Sequence, residues 1–190
     1  HAGGAASVHR AYPYASVLAG EPDRLDFPAR ACLAGEAWRW DGVDLRMLWP
    51  AAGSAASGND RSCVLLVGSE HGSIVLTGDI SARIEPAIAA ALGNPRRPLL
   101  ASVAHHGSAT ASSVAWLDAV APDLAWVSAG YRNRFGHPHA DVVARHRTRG
   151  IALSGTAESG CLSLRFAAAT AHAPRVEACR DRRATWWRAR

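Results

Sequence analysis

The chain has 190 residues, 48% of them apolar, with 21 basic residues, 16 acidic ones and a formal net charge of +5. That length fits one domain with a substantial core, while no run of 18 apolar residues is present to span a bilayer and no basic-then-apolar leader opens the chain. The charge does not by itself single out a nucleic-acid binder, because residues 167–190 hold six arginines against Glu177 and Asp181, a local +4 that leaves +1 for the rest. Every basic residue is arginine, which fits a GC-rich coding background more readily than selection for phosphate contacts. His1 stands where a Met would, and Met47 is the single methionine, so the chain has the look of a fragment.

From about residue 36 the pattern is one of short strands. "WRWDGVDLRMLWP" alternates around Asp41-Gly42, which predicts a type I′ hairpin with strands near 37–40 and 43–49. An exposed Gly/Ala/Ser loop follows over 51–58, then a second hairpin with apolar runs at 63–67 and 74–77. Helix and strand then alternate. "SARIEPAIAAALG" predicts a helix with Ser81 as its cap and Gly93 as its stop, "PLLASVA" a buried strand, "SSVAWLDAVAP" a short helix and "DLAWVSAG" another strand. "ADVVARHRTRG" predicts a helix with Asp141 near its start and Gly150 beyond its end, and short strands near 151–154 and 161–166 close the globular part. Hairpins followed by βα units imply a layered α/β sandwich. Residues 1–166 form the expected domain, and 167–190, Ala-rich and then Arg-rich with Trp186-Trp187, an expected tail outside the core.

Cys32, Cys63, Cys161 and Cys179 show no C-x-x-C spacing, which argues against a zinc ribbon or a redox motif. Cys63, within "SCVLLV", is expected as a small buried apolar residue, whereas Cys161 and Cys179 are able to pair in an oxidising compartment.

Chemistry concentrates at strand ends, where an α/β sheet gathers polar residues along one edge. "IVLTGD" delivers Asp79, "LLASVAHHG" delivers His105 and His106, and "LAWVSAGYRNRFGHPH" leads to His137 and His139. A carboxylate and several imidazoles from successive strand ends are what a hydrolytic Zn²⁺ or Mn²⁺ site requires. Each piece has a plainer reading: Asp79 as a helix cap, the His pair as a hydrogen-bonded corner, His137 as a turn residue and His139 as a cap. His9, His71, His146 and His172 have no such context and are expected at the surface. Arg132 and Arg134, with Tyr131 and Phe135 interleaved, form the combination that tracks a phosphate backbone and stacks bases. Arg145 and Arg149 share a helix face in the same basic stretch, where a solvated helix end is an equal alternative.

Read in order, "NDRSCVLLV", "IVLTGD", "VAHHGSATASS" and "NRFGHPH" resemble the blocks of the metallo-β-lactamase-fold C-terminal domain of the ComEC family of DNA-uptake channel proteins, over roughly residues 30–166. "HAGGA" resembles the last His of that family's His-x-Asp-x-Asp-His motif together with the glycines just beyond it. The resemblance implies an αββα sandwich built of two βα halves, of which this chain holds mainly the second. It implies two divalent cations in the intact domain, Zn²⁺ or Mn²⁺, with His1, Asp79 as bridging carboxylate and His105 or His106 among the ligands.

On the same resemblance, Asp79, His106 and His137 are the candidate catalytic residues, His137 acting on the leaving oxygen or the scissile phosphate. Arg132, Asn133, Arg134, Phe135, His137, Arg145 and Arg149 become candidates for contact with DNA. The implied function is a nuclease domain of a DNA-internalisation protein in natural transformation, partnered with DNA, the transmembrane channel of the same parent and the competence machinery. The parent is then an inner-membrane protein with this domain facing the periplasm or the outside, and the chain alone is expected to bind metal weakly and to be inactive. Two other readings stand beside it: a hydrolase of a small ester or lactone, and a non-catalytic DNA-guiding module.

Overall fold

The computed structural model describes residues 3–166 and 174–182. Helix α1 (Ala5–Ala11) and the strands β1 (Leu18–Ala19) and β2 (Arg30–Ala31), which pair in parallel, lead into the main sheet. That sheet comprises β3 (Ala37–Trp40), β4 (Val43–Trp49), β5 (Val64–Ser69), β6 (Gly72–Leu76), β7 (Leu99–Ser102), β8 (Leu124–Val127) and β9 (Ala152–Gly155). Helices α2 (Glu85–Leu92), α3 (Val114–Val120) and α4 (Ala140–Thr148) connect β6 through β9. A short α5 (Thr156–Ser159), β10 (Leu162–Arg165), β11 (Arg175–Ala178) and α6 (Cys179–Arg182) close the described chain.

The order across the seven-stranded sheet is the order along the chain: β3 to β6 pair antiparallel, and β6 to β9 pair in parallel. Hairpin chemistry explains the first half. Asp41 and Gly42 both have positive φ, 50° and 79°, as a type I′ turn requires, and the strands on either side have the expected bounds. The second half follows from continuous apolar runs. Leu99 and Leu100 are fully buried, Ala101 nearly so, because each parallel strand is covered by its crossover helix. The core joins Val64, Val75, Ile80, Ile88, Leu99, Leu117, Val127 and Val142 into one cluster. Arg46 on β4 donates to the carbonyls of Ala91 and Leu92 at 2.9 and 2.8 Å, a cation at the negative end of α2.

The α/β class therefore holds, with four differences in detail. Helix α2 begins at Glu85, not at Ser81, because Pro86 favours the first helical turn, and Ser81–Ile84 forms a separate turn. Asp79 and Ser81 accordingly do not cap it. Cys63 is not a lone apolar residue but is bonded to Cys32. His146 is not at the surface: it is 1% exposed, with Nδ1 donating to the Val142 carbonyl at 2.8 Å. His9 is half-buried and stacks on Phe27, while His172 lies outside the described residues.

The fourth difference concerns the expected tail. β11 pairs with β10 in the register Leu162↔Ala178, and Cys179 is bonded to Cys161, so residues 175–179 are fastened to the body. Trp186-Trp187 lie outside the described residues.

Two outcomes are expected in solution. The Cys32–Cys63 bond closes a separation of 31 residues, for which loop-closure entropy predicts about 3–4 kcal/mol; a Cys32→Ser/Cys63→Ser variant should lose that much in denaturant titration. Burial pushes the His146 imidazole below the ordinary histidine value of 6.5, aided by Arg145 and Arg149 and opposed by its bond to Val142. The unfolded chain then binds the proton more readily, so this contribution is complete above pH 6.5 and is lost as the pH falls through the folded value. The thermal midpoint should drop as the pH is lowered from neutrality, and His146→Leu should flatten that dependence.

Candidate functional site

Three strand-end loops meet at the carboxyl edge of the sheet. Just beyond β6, Thr77 is fully buried and ties the end of that strand to β7, its backbone N–H donating to Ser102 Oγ at 2.8 Å and its hydroxyl to the Ser102 carbonyl at 3.0 Å. Gly78 then turns at φ 58°, and a Cβ there would lie 2.7 Å from that of Ser62, so a side chain is excluded by strain and by space together. Asp79 follows, 9% exposed, with its N–H donating to Ser62 Oγ at 3.1 Å. The loop that supplies Ser62 also supplies Asp60, whose carboxylate accepts the Ser81 N–H at 2.8 Å, and Asn59.

Beyond β7 the backbone does something unusual. His105 and His106 both take left-handed conformations, φ 51° and 55°, ahead of Gly107 at 81°; each non-glycine residue there costs about 1–2 kcal/mol. The consequence is a divided pair, with ring centroids 6.5 Å apart and planes at 60°. His105 Nε2 accepts from the Asn59 side-chain amide at 3.1 Å. His106 turns the other way: Nδ1 donates to the Ser128 carbonyl at 2.6 Å, and Nε2 lies 3.6 Å from Asp79 Oδ1. The loop that carries the pair is fixed at its far end by Glu85, 1% exposed, which accepts the N–H groups of Ser112 and Ser113 at 2.5 and 3.0 Å.

The third loop docks on the second. His139 N–H donates to the Gly107 carbonyl at 2.8 Å, and Pro138 lies where a Gly107 Cβ would be, at 2.6 Å. Asn133 builds this loop from inside: its amide donates to the Gly130 and His137 carbonyls at 3.0 and 2.6 Å, and its oxygen accepts the N–H groups of Phe135 and His137 at 3.2 and 3.0 Å. The Asn133 side chain is thus spent on the loop, not presented to a ligand. His139 caps α4 through Nδ1, in agreement with the plainer of its two sequence readings.

His137 sits 6.1 Å from the His105 ring and 5.8 Å from Phe135, on which it stacks. Its Nδ1 is buried with no hydrogen-bond partner among the described residues. Burial pushes its pKa below the ordinary histidine value, His105, His106 and His139 push it the same way, and Asp79 opposes them. With His106, Ser128, Asn133 and Phe135 it lines a cavity of about 450 Å³. The same loop carries Tyr131 and Phe135, 63% and 65% exposed, with the Arg132 guanidinium 5.3 Å from the first ring and that of Arg134 4.8 Å from the second.

The remaining candidates are not gathered here. Arg149 makes a two-point pair with Asp118 at 2.6 and 3.2 Å, which holds that carboxyl below its usual range, and Arg145 Nε donates to the Asp141 carbonyl at 3.1 Å. His1 lies outside the described residues. Asn59, Asp60, Ser62 and Glu85 position the site and were not singled out from sequence; the polar run "GND" before an apolar strand and the Glu-Pro at a helix start are the signals they leave.

The donor chemistry fits part of a metal site. A carbonyl only accepts, so His106 Nδ1 carries the proton and the lone pair of the neutral ring is on Nε2, the nitrogen that faces Asp79. An imidazole nitrogen and a carboxylate aimed at one point suit a borderline divalent cation. Among the described residues no group of three or more His, Cys, Asp or Glu is placed to hold such an ion.

No family model matches the chain. It is similar to competence protein ComA of Neisseria gonorrhoeae, 36% identical over 162 residues, which is 85% of this chain and 23% of that protein. It is similar likewise to recombination protein 2 of Haemophilus influenzae, 35% identical over 169 residues, 87% of this chain and 21% of that one. Among solved structures, a Thermotoga maritima protein described as a Zn-dependent hydrolase of the metallo-β-lactamase superfamily aligns with TM-score 0.44 and 13% identity, covering 76% of this chain and 85% of its own. The chain thus matches one protein named for competence and one named for recombination, over most of its own length and about a fifth of theirs.

Proposed function

We propose that the chain is the C-terminal, metallo-β-lactamase-like part of a ComEC-type DNA-uptake protein, and that the intact domain hydrolyses phosphodiester bonds with two divalent cations, Zn²⁺ or Mn²⁺. The observation that carries this reading is the convergence of Asp79 and His106 Nε2 at 3.6 Å, from two successive strand ends. Similarity to the competence protein and to recombination protein 2 supports DNA as the partner. The two disulfides support a position outside the reducing cytoplasm, in the periplasm or facing outward. No helix among the described residues is long and apolar enough to cross a membrane; the inner-membrane channel is assigned to the parent protein, with the competence machinery as its partner.

Asp79 and His106 would hold one of the cations, with His1 as a further ligand. Cations of this kind activate water and polarise a phosphoryl oxygen. Ser62 and Gly78 hold the backbone of Asp79, and Ser128 orients His106. His105 is engaged by Asn59. His137 lines the cavity, where burial favours its uncharged form, and it serves as an N–H donor to the scissile phosphate. With Asp79, His106 and the proposed His1 as ligands, two cations would be under-coordinated, so the 190-residue chain by itself is proposed to be inactive.

A cavity of about 450 Å³ also falls within the roughly 300–1,000 Å³ range of small-molecule sites, which favours the ester or lactone hydrolase as second reading. One set of measurements separates the readings. Calorimetry on the purified chain should show Zn²⁺ or Mn²⁺ binding that weakens about tenfold or more in Asp79→Ala and His106→Ala. In the parent protein, Asp79→Ala should abolish Mn²⁺-dependent cleavage of single- or double-stranded DNA. Lactone turnover without DNA cleavage would shift the assignment to the second reading, and DNA binding with no cleavage and no metal dependence would shift it to a guiding module.

A further inference from the structure

The guanidinium of Arg180 reaches the cleft loop from the far end of the chain. Its carbon lies 6.0 Å from the Tyr131 ring centroid, next to a ring that already carries Arg132 at 5.3 Å. Arg180 is exposed, yet its place is built. Nη1 donates to the Ala157 and Glu158 carbonyls at 3.0 and 2.7 Å, the open end of α5. Its stem crosses Gly160, φ 77°, where a Cβ would stand 3.3 Å from Arg180 Cγ. Directly before it in sequence, Cys179 is bonded to Cys161 and donates its N–H to the Cys161 carbonyl at 3.0 Å. Arg132 has its own constraint: it is held at φ 49°, a conformation long side chains rarely take and one that marks segments under functional demand.

We propose that Arg180 and Arg132, both close to the Tyr131 ring, form a two-cation grip for single-stranded polynucleotide on the cleft loop, and that the Cys161–Cys179 bond holds Arg180 in that grip. This rests on the reading of the chain as part of a DNA-handling protein. Both carbonyl bonds of Arg180 use Nη1, so Nε and Nη2 remain as donors for phosphate among the described residues. Tyr131, 63% exposed, offers an aromatic surface to an unpaired base, and bases in a duplex have no free face to give it. The polymer it fits is therefore a single strand, read by stacking and charge without base-specific contacts. Without the Cys161–Cys179 bond the backbone at Arg180 is no longer fastened to the α5 corner, and the grip loosens while the main sheet stays whole.

Fluorescence anisotropy with a labelled oligothymidylate, and with a duplex of equal length, tests this on the full chain over a range of salt. Arg180→Gln should weaken single-strand binding several-fold and reduce the magnitude of the salt slope by about 0.7, the value for one phosphate contact; Arg180→Lys should restore most of the slope. Tyr131→Leu should weaken single-strand binding more than duplex binding. The Cys161→Ser/Cys179→Ser variant, checked for an unchanged far-ultraviolet dichroism spectrum, should lose as much affinity as Arg180→Gln, and the combined variant should lose no more. If the wild-type chain binds and Arg180→Gln changes neither affinity nor slope, the grip is refuted alone. Equal losses on duplex refute the preference for a single strand, and wild-type affinity in the double serine variant refutes the tether. A wild-type chain that binds neither oligonucleotide overturns the DNA-handling reading itself.

Discussion

Two consecutive histidines in left-handed backbone set the direction of the two imidazoles beyond β7, one of which meets Asp79. Had His105 and His106 continued β7 as a strand, their side chains would alternate across the sheet and leave the edge altogether. In the left-handed turn they stay at the edge and diverge within it, one toward Asn59 and the other toward Asp79. Gly107 and the Gly78 carbonyl, which accepts the His105 N–H at 3.0 Å, complete the turn. The Gly-His-Pro-His loop can then seat on it only because Gly107 has no side chain.

Strain at such a turn persists only where the surroundings over-determine it. Here the surroundings are three separate braces: Ser62 and Asp60 on the Asp79 turn, Glu85 on the backbone after the His pair, and Ser128 on the His106 ring. Each brace is a hydrogen bond to a backbone group or a ring, buried at Glu85, half-buried at Ser62 and Asp60, and exposed at Ser128. Each comes from an element other than the one it holds. The site is accordingly a property of the whole sheet edge, not of any one loop.

The sequence made the strand ends legible because continuous apolar runs stop abruptly at polar residues, so Asp79 and the pair His105 and His106 stand out, while His137 stands out by its place in Gly-His-Pro-His. The Asp41-Gly42 hairpin was legible from turn chemistry alone. What could not be read was direction. Nothing in "AHHG" distinguishes the ring that meets Asp79 from the ring that meets Asn59, since the split arises from backbone angles set by tertiary contacts. Asn133 is a candidate on the resemblance, and nothing in the local sequence shows that its side chain closes its own loop. Arg149 and Arg145 do lie one turn apart, but helical spacing is blind to Asp118 on the neighbouring helix. Cys32–Cys63 and the β10–β11 pair escaped for the same reason: both join segments whose proximity only the folded sheet creates.

The main sheet has one further property. Its seven strands lie side by side in the order in which they occur along the chain, so every strand finds its partner already in place in the segment made immediately before it. No strand has to be threaded between two others, and loop closure at each step spans only a hairpin or a single crossover helix. Such a sheet is suited to assembly in one direction, accreting from its Trp38 edge as polypeptide becomes available, which is the order of events that ribosomal synthesis or passage through a translocation pore imposes.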